Sequence, residues 1–116
     1  MATMADIQQK PGSTGISGEQ CAASYLERHS CIVVERNTRV EQDEIDLVVR
    51  HRGQLVVVEV KTSTNGDDPF EAVDEQKFRR MQRAASGYRL PIGRIDLVGI
   101  EVGGRSVAIR WLQGVV

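Results

Sequence analysis

The apolar positions of this chain follow two rhythms. Over residues 13–30, "STGISGEQCAASYLERHS", Ala22, Ala23 and Leu26 recur at helical spacing. Glu19 lies one turn earlier, and Ser13, Thr14 and Ser17 each offer an N-cap. The rhythm then becomes that of strands in "CIVVERN" (31–37), "EIDLVVRH" (44–51) and "QLVVVEVKT" (54–62). Arg52-Gly53 between the last two predicts a hairpin turn. "STNGDDP" is rich in turn residues and predicts a loop. Helical spacing returns over "FEAVDEQKFRRMQRAASGYR" (70–89), with Phe70, Val73, Phe78, Met81, Ala84 and Ala85 as its apolar side. "RIDLVGIEV" and "SVAIRWLQ", around Gly103-Gly104, predict two final strands. The order α-β-β-β-α-β-β implies an α/β domain with a mixed central sheet flanked by helices.

The central hairpin departs from its own pattern. Asp46, Glu59 and Lys61 sit inside the most apolar stretch of the chain. Strand side chains alternate faces, so Leu55, Val57, Glu59 and Lys61 share one face and Val56, Val58 and Val60 the other. With Arg52-Gly53 as the turn, Asp46 stands opposite Glu59 and Glu44 opposite Lys61. Opposed residues point to the same side of the sheet, so this register gathers four charges in one cluster. Like charges opposed across strands repel, and an unpaired buried carboxylate is costly. Two arrangements offset the cost: neutralisation by Lys61, or a divalent cation such as Mg²⁺ held by the carboxylate oxygens. The plain alternative is an edge hairpin whose charges face water.

Size and charge narrow the reading. At 116 residues the chain has the length of one domain. We expect a disordered leader over 1–13 and a single domain over 14–116. The start "MATMADIQQKPGSTG" has no apolar h-region, and no apolar run approaches membrane-spanning length, so the expected compartment is the cytoplasm. Cys21 and Cys31 are too few for a zinc site and read as plain thiols. His29 and His51 read as packing or surface residues. The net charge of −1 names no partner, but its distribution is uneven. Lys77, Arg79, Arg80, Arg83, Arg89 and Arg94 fall within 18 residues that contain no acid. This reads either as a solvated helix face or as a basic stripe for a polyanion.

Together these residues resemble a known pattern. An acid on the first helix, an Asp on one strand and Glu-x-Lys on the next is similar to the PD-(D/E)XK nuclease superfamily. From Gly18 onward the chain more closely resembles the YraN family of small bacterial endonuclease-like proteins. "GEQCAASYL" carries Glu19, "RNTR" carries Arg36 and Arg39, "EIDL" carries Asp46, and "VEVK" carries Glu59 and Lys61. Lys77 with Arg80 resembles the family's second-helix basic pair, and "RIDLVGI" its later strand. The chain departs from the family at Asp43, where Gly usually precedes "EIDL", at Thr62-Ser63, where a basic residue is common, and in the ending "IRWLQGVV".

The resemblance implies a restriction-endonuclease-like fold and Mg²⁺- or Mn²⁺-assisted hydrolysis of DNA phosphodiesters. It implies Asp46, Glu59 and Glu19 as metal ligands, and Lys61 as the residue that orients the attacking water. Arg36, Arg39, Lys77, Arg80 and Arg83 would then meet the phosphate backbone without reading sequence. Branched or single-stranded DNA is the expected substrate, and a homodimer the expected unit for cutting two strands. The alternatives are a nuclease-fold module that binds DNA without cutting it, and an interaction subunit of a DNA-processing complex. A binder tends to lose an acid or the lysine, and an interaction module has no need of the arginines.

Overall fold

The computed structural model describes residues 17–116 in full and the backbone of residues 3–9. The elements are strand β1 (Thr3–Gln9), helix α1 (Gly18–Arg28), strands β2 (Ile32–Val40), β3 (Asp43–His51) and β4 (Gln54–Ser63), helix α2 (Glu75–Gly87), and strands β5 (Arg94–Gly103) and β6 (Ser106–Leu112). From α1 onward this is the predicted α/β order. The leader expected over 1–13 contains β1, which pairs antiparallel with β6 from Thr3↔Leu112 to Gln9↔Ser106. Its other residues, 1, 2 and 10–13, lie outside the described residues.

Of the three candidate caps only Ser17 falls within the described residues. Its Oγ accepts from the Gln20 N–H at 3.1 Å and fixes the start of α1. The single helix expected over 70–89 is divided. Asp68 caps a short 3-10 turn, Pro69–Ala72, and Val73 is extended. Asp74 then accepts from the Lys77 N–H at 2.8 Å and starts α2. A second cap within the apolar rhythm is what breaks the helix.

Five strands form a mixed sheet in the order β6-β5-β4-β3-β2, extended at the β6 edge by β1. Only β4–β5 is parallel; the other pairs are antiparallel. The sheet separates two cores. On one face Ala22, Ala23, Tyr25 and Leu26 of α1 cover Leu47, Val49, Val56, Val58, Val98 and Ile109. On the other, Met81 and Ala84 of α2 cover Ile45, Val48, Leu55, Val57 and Leu97. Burying aliphatic side chains on both faces supplies the main driving force for the fold.

Arg52 (φ 52°) and Gly53 (φ 79°) are both left-handed, the geometry of a two-residue type I′ hairpin turn. The β3–β4 register is the expected one, running from His51↔Gln54 to Leu47↔Val58. There it stops. β3 stays with β2 as far as Val40↔Asp43, so its first half leaves β4 and the sheet forks at Asp46.

Candidate functional site

Asp46 sits at the fork. Its Oδ2 accepts the Val60 N–H at 2.8 Å, replacing a ladder partner that the departing strand no longer supplies. Its Oδ1 makes no hydrogen bond among the described residues. Glu59 precedes Val60 and points to the α2 face, where it is only 6% exposed. Burial raises the Glu59 pKa above the usual carboxylate range, and the nearby Asp46 charge raises it further. Lys77 and Lys61 oppose both effects. Lys77 Nζ lies 3.2 Å from Glu59 Oε2 and Lys61 Nζ 3.7 Å from the same oxygen. Two acids and two ammonium groups therefore meet where the strands part.

The rest of the expected set is distributed differently. Glu44 does not join the cluster. It follows β3 toward β2, is exposed, and pairs with Arg39 at 3.7 Å. Glu19 lies in the first turn of α1, on the other core's side of the sheet. That helix start abuts β4, where a Cβ on Gly18 would fall 2.2 Å from Thr62 Oγ1. Among the described residues no three His, Cys, Asp or Glu side chains converge to hold an ion, so the three-acid shell with Glu19 is not assembled. What remains is a two-carboxylate arrangement. Mg²⁺ usually keeps several waters and is held by one or two carboxylates, so a two-acid set is chemically sufficient for it.

The basic stripe is largely neutralised by acids from elsewhere in the chain. Arg79 pairs with Glu75, Arg89 with Glu35, Arg94 with Asp96 and Lys77 with Glu59. Arg83 donates two hydrogen bonds of 2.7 Å to Asp43. That guanidinium is the main reason the Asp43 carboxyl stays below its usual pKa. Asp43 thus neither crowds Glu59 nor strains its turn. It spends its charge on α2, where Arg83 neutralises it. Arg80 and Arg36 are exposed and have no ion pair among the described residues. Arg36 is paired with Leu47 in register, which puts it on the α1 face, away from Glu59. Arg80 lines a pocket of about 200 Å³ with Gln42, Asp43, Glu44, Lys77 and Met81.

A family model described as "Uncharacterised protein family UPF0102" matches residues 18–100. The chain belongs to the UPF0102 family. A UPF0102 protein of Pseudarthrobacter chlorophenolicus is 37% identical over 87% of this chain and 83% of its own length. Another from Paenarthrobacter aurescens is 42% identical over 87% and 91%, and one from a Nocardioides species is 45% identical over 74% and 76%. The UPF0102 match contains Glu19, Asp46, Glu59, Lys61 and Lys77, and stops short of β6 and the tail.

Two features of this UPF0102 chain escaped the sequence reading. Lys77 was expected among the DNA contacts, yet it is the nearer of the two lysines on Glu59. Asp96 is fully buried and organises the far end of the sheet. It accepts from Arg94 Nε and Nη2, Trp111 Nε1 and the Gly114 N–H, all at 2.8–2.9 Å. The signal was present, since "RIDL" repeats the acid-within-aliphatics pattern of "EIDL" with its own arginine two residues earlier.

Proposed function

We propose that this chain is a divalent-metal-dependent endonuclease that hydrolyses DNA phosphodiesters, in the manner of the PD-(D/E)XK nucleases its motifs resemble. One observation carries the reading. Asp46, on a strand that has just parted from β4, bonds the Val60 amide next to the buried Glu59, with Lys61 beside Glu59. A strand ordinarily avoids such a grouping, and perturbed carboxylates with a specific cation partner are common where chemistry is done.

A divalent cation held by Asp46 and Glu59 would polarise the phosphate and lower the pKa of the attacking water. The chain's own residues supply the rest. The Val60 N–H fixes the Asp46 carboxylate, so one oxygen is positioned and the other left open. Lys61, two residues after Glu59 on the same face, orients the water and balances charge on the phosphorane. Arg80, beside the pocket, meets a flanking phosphate. Glu19 acts at most through water.

A second reading is a binding module that does not cut. It draws on one observation: both ammonium groups engage Glu59 Oε2, with Lys77 the closer, and so already neutralise the carboxylate an ion would use. Branched, single-stranded and duplex DNA incubated with Mg²⁺ or Mn²⁺ separates the two. The nuclease reading expects cleavage that Asp46→Asn, Glu59→Gln and Lys61→Ala each reduce by at least ~10²-fold, the range of a lost catalytic group. Lys61→Ala retains DNA affinity. Binding without cleavage under either metal gives the binding module, and full activity of Asp46→Asn contradicts the site.

A further inference from the structure

We infer that Asn37, on the neighbouring strand, is a positioning residue for Asp46. Alternation in a regular strand would place Ile45 and Leu47 on one face. They lie in opposite cores, Ile45 under α2 and Leu47 under α1, so β3 rotates at the residue between them, Asp46. β2 makes the matching rotation. Arg36 pairs with Leu47 and Thr38 with Ile45, so Asn37 is the residue between those pairs on β2 as Asp46 is on β3. Asn37 is left-handed, at φ 48°. The other non-glycine residues of positive φ among those described, Ser30, Glu41 and Arg52, all lie in turns; Asn37 alone lies within a strand. Asn tolerates this region better than most side chains.

A side-chain hydrogen bond records the same twist. Thr38 Oγ1 donates to Glu35 Oε2 at 3.1 Å, although residues three apart in a regular strand face opposite ways. Glu35 is itself held by Tyr88 and Arg89 at the end of α2. The Asn37 side chain is exposed, so core packing does not explain it. The rotated strand pair instead carries Asp46 to where its Oδ2 meets the Val60 N–H. The effect on catalysis rests on the nuclease reading. The geometry does not.

The Val60 amide is the reporter. Its hydrogen exchange is followed by NMR in wild type, Asn37→Ala, Asn37→Gly and Asp46→Ala, with Mn²⁺ affinity measured on the same proteins. Asp46→Ala defines the rate with the bond absent. We expect Asn37→Ala to speed Val60 exchange at least tenfold while Val57 and Val58 stay protected, and to weaken Mn²⁺ binding by a similar factor. Asn37→Gly, which takes positive φ freely, should restore both. Unchanged Val60 exchange in Asn37→Ala overturns the inference. So does uniform loss of protection along β4, or failure of Asn37→Gly to rescue. If the Val60 pattern appears but wild type binds no Mn²⁺, the positioning role stands and the metal-dependent reading falls.

Discussion

Glu59 and His51 are both buried and titratable, and their surroundings act on them in different ways. Burial raises the Glu59 pKa, Asp46 adds to this, and Lys77 and Lys61 hold it back. Burial lowers the His51 pKa, with Arg94 and Arg52 adding to the shift and Asp96 opposing it. Arg94 Nη2 lies 2.9 Å from His51 Nδ1, and a guanidinium only donates, so Nδ1 is the acceptor and the ring is neutral. The unfolded chain therefore takes up this proton before the folded one does. The His51 contribution is complete above about pH 6.5 and is lost as pH falls toward the lower folded value. Urea unfolding at a series of pH values should show that, from about pH 7 to pH 5, wild type loses stability relative to His51→Gln. Equal slopes would contradict this assignment. At this scale the acids were legible because carboxylates interrupt valine runs. Their partners were not: Lys77 is 18 residues from Glu59 and Arg83 is 40 from Asp43, and nothing local in the chain signals such pairings.

At the scale of elements, α2 does more than cover a core. It delivers Lys77 to Glu59, Arg83 to Asp43, and Tyr88 with the adjacent Arg89 to Glu35, so one helix grips both the fork and the hairpin beside it. A bound divalent ion would compete with Lys77 for the Glu59 oxygen. Lys77→Met, which keeps the stem and removes the charge, should therefore raise Mn²⁺ affinity by about tenfold, or 1.4 kcal/mol, in a calorimetric titration. Unchanged or weaker affinity would mean that Lys77 does not compete with the ion. The elements from α1 onward were readable because each carries its own period, cap or turn pair. The strand expected over 31–37 runs on to Val40, through the left-handed Asn37. Apolar spacing alone hides the cap at Asp74, which separates the 3-10 turn from α2.

For the molecule as a whole, the sheet is continuous at one end and forked at the other. Asp96 closes the continuous end, binding Trp111 and the Gly114 amide. The fork leaves β4 without its β3 partner just where its sequence turns from valine to Glu-x-Lys. The expected hairpin register holds from His51↔Gln54 to Leu47↔Val58, but the expected oppositions of Asp46 with Glu59 and of Glu44 with Lys61 lie beyond its end and do not form. It could not announce the fork, because pairing two strands says nothing of where a third pulls one of them away. Glu44 went with β2 for that reason, and Glu19 lies across the sheet from Glu59.

We propose that Asp46 and Glu59 together hold a divalent ion at this fork. Paramagnetic broadening by Mn²⁺ in an amide NMR spectrum locates the ion directly. Substoichiometric Mn²⁺ should first broaden the amides of Asp46, Leu47, Glu59 and Val60, and Glu59→Gln should abolish the effect. Broadening centred instead on the acidic loop at Asp67, Asp68 and Glu71, or broadening at the fork that survives Glu59→Gln, would contradict the claim.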